Sequence, residues 1–223
     1  MPQETAVPPS IPRFPGIDAA ATPLIGLGLG LTGLLWGVKP RLAAYPLVIT
    51  ALAALIFRDP PRRTPLEHLS LFSPADGTVV AVEELYEHRY LHTDAVRLTI
   101  TTRPFDVPVQ RSPVAGTVRY LASVEGEVRP LWQAGDVERN SHLYLGIEAD
   151  WGPLLLTLYS GSLSPRIVCH VAEGDTVAAG SRLATLRFGA RVDLIIPADV
   201  VAVLPNVGTM LRAGTSRIGR LAE

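Results

Sequence analysis

Apolar and charged positions divide this chain into two regimes. From Ala19 to Val38 there are twenty consecutive residues without a charge, including Leu24-Ile25-Gly26-Leu27-Gly28-Leu29-Gly30-Leu31. As a helix rising about 1.5 Å per residue, this run reaches roughly 30 Å, the depth of a bilayer core. Lys39-Pro40-Arg41 interrupts it, and Leu42 to Phe57 adds sixteen more uncharged residues with Pro46 among them. Neither run has a polar face, as a helix pair lying on a soluble core would. The pattern predicts a helical hairpin (19–57) embedded in, or partly through, a membrane. A cleavable signal peptide fits poorly, because the apolar run starts behind a proline-rich segment and a second run follows at once. Arg13, Arg58, Arg62 and Arg63 flank the hairpin against Lys39 and Arg41 in its turn, a balance that favours the cytoplasmic face for the rest of the chain.

Residues 1–18 carry five prolines and no periodicity and read as a tail. Residues 58–70 form a proline-punctuated linker whose arginines read equally as contacts for lipid phosphates or as ordinary interfacial flanking charge. From Leu71 to the C-terminus the pattern becomes short β-branched runs between Gly and Pro, such as Thr78–Val82, Ala95–Ile100, Leu154–Leu158 and Val192–Ile196. This predicts a mostly β fold, a compact sandwich or barrel-like domain over 71–223. A longer helical period is suggested only around Arg129–Val137. Two segments, Gly174–Gly180 and Gly208–Gly214, share a G-x-x-φ-x-x-G spacing that resembles the glycine turns of hammerhead carrier folds. A carrier needs an exposed lysine in a hairpin, and the one lysine of the chain is Lys39, so that role is excluded.

Composition narrows the function classes. A net charge of −1 gives no footprint for nucleic acid. Cys169 stands alone, which rules out an internal disulfide. The histidines show no metal-ligand spacing with one another or with Cys169, so no metal site is expected. His170 is expected to be a half-buried strand residue.

Three segments carry a resemblance: Ser73-Pro74-Ala75-Asp76-Gly77, Pro104-Phe105-Asp106-Val107 and Arg187-Phe188-Gly189-Ala190-Arg191-Val192-Asp193. From about Ala19 to Asp199 the chain resembles the short-type, pyruvoyl-dependent phosphatidylserine decarboxylases. The resemblance implies self-cleavage at a Gly-Ser bond by an Asp-His-Ser arrangement, in which a base activates the hydroxyl and an acid orients the base. The serine becomes a pyruvoyl group that serves as the electron sink for decarboxylation.

Matched by position, the acid is Asp76 and the scissile bond follows Gly189. The serine position holds Ala190, and Pro108 occupies the histidine position of a Phe-Asp-Val-His-Val-Asn-Arg segment that here reads Phe105-Asp106-Val107-Pro108-Val109-Gln110-Arg111. The family's Asn-Glu-Arg element becomes Val137-Glu138-Arg139, followed by Asn140. A methyl group cannot attack a carbonyl, and proline has no side-chain acceptor. Loss of a base alone typically leaves slow residual chemistry, since it costs about 10²–10⁴-fold. Loss of the nucleophile removes the atoms from which the pyruvoyl is made. Ser→Ala alone is what a trapped precursor would carry, whereas divergence after loss of catalysis explains Ala190, Pro108 and Gln110 together.

The expectation is a membrane-anchored, uncleaved and inactive relative in phosphatidylethanolamine metabolism, without a pyruvoyl cofactor. It would bind membrane phospholipid, or associate with itself or with an active paralogue. Arg111, Arg139, Arg166 and Arg191 are the candidates for phosphate or carboxylate contact. An active decarboxylase working by a non-standard route and a structural membrane scaffold are the rival readings. Asp76, without its partner, is expected to stabilise its own turn through an Asx-type bond.

Overall fold

The computed structural model describes residues 16–18, 21–65, 70–127, 129, 137–161, 164, 166–200 and 204–220. The chain divides into two compact units, Met1–Pro61 and Arg62–Glu223. In the first, helices α1 (Thr22–Val38) and α2 (Pro40–Ile56) form an antiparallel hairpin that turns at Lys39. Proline starts both helices, at positions where its missing N–H costs nothing. Inside α2, Thr50 donates to the carbonyl of Pro46, and the same hydroxyl occupies the space a side chain at Gly28 would need. Gly28 thus admits a close helix–helix approach. Each helix has 17 residues and is about 25 Å long, shorter than the twenty-residue run suggested. Among the described residues no helix is long and apolar enough to cross a membrane. Many apolar side chains are exposed, among them Leu27, Trp36, Tyr45 and Ile49.

Among the described residues of the second unit, regular structure is strand apart from one 3₁₀ turn, Val137–Arg139. Its long strands are β2 (Gly77–Glu87), β3 (Thr93–Thr102), β5 (Gly116–Val124), β6 (His142–Ala149), β7 (Gly152–Ser160) and β11 (Ala190–Pro197). The short ones are β1 (Ser70–Phe72), β4 (Val109–Arg111), β8 (Ile167–Cys169), β9 (Thr176–Val177), β10 (Arg182–Leu186), β12 (Met210–Leu211) and β13 (Arg217–Arg220). An eight-stranded curled sheet has the order β12-β2-β3-β11-β7-β6-β5-β9, a second sheet the order β4-β10-β8, and β1 pairs with β13. The mostly β fold expected from the alternation is the one found.

The sheet order is a palindrome of two equivalent halves, and the contacts repeat in detail. Ser73-Pro74-Ala75-Asp76-Gly77 matches Ser112-Pro113-Val114-Ala115-Gly116, and the amides of Phe72 and Arg111 are exchanged onto the carbonyls of Pro113 and Pro74 at 3.0 and 2.8 Å. Each half carries a bulge just after Val79 or Val118. Gly208 and Thr209 bracket Val79 with backbone bonds, as Gly174 and Asp175 bracket Val118. The second glycines of the two glycine turns, Gly180 (φ 78°) and Gly214 (φ 68°), lie against each other, and Thr64 packs on both. One half closes its central pair with a tight hairpin, Ala149 opposite Gly152. The other opens at the equivalent rung, Thr102 opposite Ala190, and the chain from 103 to 189, which contains most of the second half, is inserted there.

Alternation sorts the strands' side chains into two layers. Leu98, Ile100, Leu145, Ile147, Leu154, Leu156, Leu158, Val192 and Leu194 form the apolar core on one face. The opposite face carries Arg191, Asp193, Thr157, Tyr159, His142 and Tyr144, and most of these are buried too. Part of that face is covered by the β2–β3 turn: Arg89 stands 4.2 Å from the Tyr144 ring centre, and Tyr90 stacks on Tyr120. Glu87 is buried at this turn and accepts the N–H groups of Arg89, Tyr90 and Leu91.

Candidate functional site

Ala190 is the first residue of β11, where the chain crosses from β10 in the small sheet into the large one. Both preceding residues have positive φ, Phe188 at 65° and Gly189 at 90°. For phenylalanine this is a strained conformation, of the kind that persists only where the surroundings over-determine it. A side chain at Gly189 would press on the carbonyl of Thr102 at 3.1 Å. Ala190 is fully buried, with its methyl group in the apolar core. Its N–H donates to Thr102 Oγ1 at 2.7 Å, and the Thr102 hydroxyl donates back to the Ala190 carbonyl at 3.2 Å. The peptide at the scissile position is therefore held by a neighbouring threonine. Among the described residues no imidazole or carboxylate bonds that threonine.

The structure connects the other two positions to this turn. Pro108 precedes β4, and its carbonyl accepts the N–H of Leu186, four residues before Ala190. It also accepts the Gln110 side-chain amide at 3.3 Å. Pro108 thus acts as a backbone acceptor where the family pattern calls for a base. Gln110 is wholly buried, and its Oε1 has no hydrogen-bond partner among the described residues. Asp76 precedes Gly77, which packs on the Thr101 carbonyl beside Thr102. Of the three positions, Ala190 and the Asp76–Gly77 step lie at the Thr101–Thr102 end of β3, and Pro108 joins the small sheet through Leu186.

Asp76 does not form the expected Asx turn. Ser73 closes the turn instead: its hydroxyl accepts the Ala75 N–H at 3.4 Å and donates to the Ala75 carbonyl at 2.7 Å. The Asp76 carboxylate is taken by Arg62 through both oxygens, with Nη2–Oδ2 at 2.7 Å, and it also accepts the Ala213 N–H at 2.7 Å. Arg62 completes the clamp by donating to the Ala213 carbonyl. A forked guanidinium matches a carboxylate plus a carbonyl better than the carboxylate's own adjacent amides can. Arg62, read from the sequence as a linker cation facing lipid, is thus a partner of the remnant acid. No local motif announces a pair fourteen residues apart. Thr102 escaped notice for a similar reason, because a threonine at a strand end carries no signature.

The candidate arginines fall into two groups. Arg111 is buried and donates to the Gly180 carbonyl at 3.0 Å. Arg191 forms a two-pronged pair with Asp193 at 2.8 Å and lies 5.5 Å from the Tyr159 ring centre. Burial opposes the Arg191 charge, but the Asp193 carboxylate outweighs it and holds the guanidinium above its ordinary range. Burial likewise pushes the Tyr159 phenol up. Alternation along β11 turns Arg191 away from the face that holds Ala190. Arg139 and Arg166 are exposed.

Asn140, next to Arg139, is fully buried and bonds the Arg129 backbone and the Ser160 carbonyl. Ser160 is the rung partner of Ala190. His142 donates from Nδ1 to the Asn140 carbonyl, and its ring packs against Tyr144 and Tyr159. His170 lies just beyond β8, outside the strand's paired residues, and is exposed rather than half-buried, with Nε2 2.7 Å from Thr185 Oγ1. Of the helical period suggested over Arg129–Val137, the residues between these ends fall outside the described residues.

Comparison with known proteins matches the geometry. Residues 49–219 match the family profile of phosphatidylserine decarboxylase. The phosphatidylserine decarboxylase proenzyme of Symbiobacterium thermophilum is 36% identical over 212 residues, covering 95% of this chain and 98% of the relative. Those of Carboxydothermus hydrogenoformans and Chlorobium phaeobacteroides are 35% and 34% identical, covering 74% and 80% of this chain and 78% and 86% of theirs. The chain belongs to the phosphatidylserine decarboxylase family.

Proposed function

We propose that this chain is an uncleaved, catalytically inactive phosphatidylserine decarboxylase homologue that is held at a membrane and binds phospholipid there. The observation that carries the reading is Ala190. The residue after Gly189 supplies a methyl group in an apolar core, and a pyruvoyl group cannot be made from it. The site's other residues do not fit that group either, since Pro108 offers a carbonyl already bonded to Leu186 and Asp76 is clamped by Arg62. The strained turn and the family fold persist, which suits a retained binding or regulatory role. Membrane attachment rests on the apolar hairpin, whose helices suit insertion part-way into a bilayer.

The intact mass of the purified wild-type chain tests inactivity. One species of full mass is expected. Two fragments, with a 34-residue piece (190–223) that reacts with borohydride, would establish an active pyruvoyl enzyme and overturn the proposal.

A further inference from the structure

The two halves of the sheet provide an internal control for what the fold itself requires. Gly208–Gly214 and Gly174–Gly180 make the same turn with the same backbone bonds, so equivalent positions can be compared directly. One turn presents Glu173 and Thr176 to solvent, beside Arg119 on β5. The other presents Val207 and Met210, beside Val80 on β2, with exposures of 62%, 72% and 47%. The apolar side chains are therefore not needed to build the turn, because its twin is built with polar ones. They form one patch, since Gly208 and Thr209 bond the residue next to Val80.

Charge differs in the same sense. Residues 204–220 carry Arg212, Arg217 and Arg220 and no carboxylate, whereas the equivalent 170–186 carry Glu173, Asp175 and Arg182. Arg212, exposed two residues from Met210, has no carboxylate partner among the described residues. Exposed apolar residues beside uncompensated arginine suit a surface that is apolar beneath and anionic at its rim.

We infer that the Val80–Val207–Met210 patch, with Arg212, is a docking surface of the β unit for an anionic lipid bilayer. The inference concerns bilayer contact and stands apart from head-group binding and from the hairpin's insertion.

The test uses the full chain in vesicles of phosphatidylcholine, with and without phosphatidylglycerol. A photoactivatable benzophenone residue replaces Met210, or Thr176 at the equivalent position, or Leu27 in α1 as an insertion control. Lipid adducts at position 210 should exceed those at 176 by about ten-fold and should increase with phosphatidylglycerol. The double change Val207→Glu with Met210→Thr copies the other turn and should abolish adducts from a benzophenone at position 80 while leaving the thermal midpoint near wild type. Equal adduct yields at 210 and 176 would overturn the inference, and adducts at Leu27 in the same experiment would show that hairpin insertion survives its failure. Adducts from 210 to a second protein chain would also overturn it, assigning the patch to self-association.

Discussion

The proposed loss of self-cleavage rests on Ala190 and Pro108, with Asp76 as the matched acid that is kept. Ala190→Ser restores the hydroxyl but neither base nor free acid, so this variant should remain uncut on denaturing gels over hours. Ala190→Ser with Pro108→His should regain partial cleavage. Full cleavage by the single variant would show that no base is missing. Asp76→Ala should cost about 3 kcal/mol in urea denaturation, because it strands the Arg62 guanidinium and the Ala213 amide together. Gln110→Met removes a buried acceptor that has no partner and should be neutral or stabilising by about 1 kcal/mol. A clear loss of stability would mean that the amide bond from Gln110 to the Pro108 carbonyl outweighs the cost of burying the unpaired Oε1.

At the scale of elements, the glycine turns and the β2–β3 turn decide local stability. Gly180→Ala places a methyl group onto Thr64 at a positive φ and should cost roughly 2–3 kcal/mol. Gly174→Ala meets nothing within 4 Å and should cost only about 1 kcal/mol from backbone strain. Glu87 supplies the pH dependence at this scale. Burial works to raise its pKa, yet the amides of Leu91, Tyr90 and Arg89 outweigh burial and hold the carboxyl below its ordinary range. A pKa lower when folded than when unfolded contributes stability that is complete above the unfolded value and is lost as pH falls through the folded one. Glu87→Gln should therefore be less stable than wild type at neutral pH, and the gap should close in acid below the usual carboxylate range. Chemical denaturation at several pH values measures the gap. A difference independent of pH would refute the assignment.

The nesting of the two halves matters at the scale of the β unit. Because residues 103–189 are inserted between β3 and β11, and because β11 and β7 pair across the pseudo-twofold, neither half has a complete sheet alone. Amides of β3 and β11 should therefore lose hydrogen-exchange protection at the same denaturant concentration as those of β6 and β7. Separate transitions would show that one half folds independently. The position matched to the family's scissile bond is the rung at which one half's hairpin was opened, so the strained Phe188–Gly189 turn lies at a seam between sheets.

Much of this was legible in the sequence, and the division has a physical basis. Local pattern shows the hairpin runs, the β alternation, the glycine spacing and the residue types Ala190 and Pro108 at the positions matched to the family's serine and histidine, because each depends on residue type at a fixed offset. The duplicated Ser-Pro-x-x-Gly segments were also present to be read, but only the fold shows that they exchange bonds across a pseudo-twofold. Tertiary structure alone decided that Arg62 clamps Asp76, that Thr102 holds the Ala190 peptide, and that Arg191 faces away from it. Those outcomes depend on which strand lies beside which and on which way each side chain points, and long-range pairing sets both.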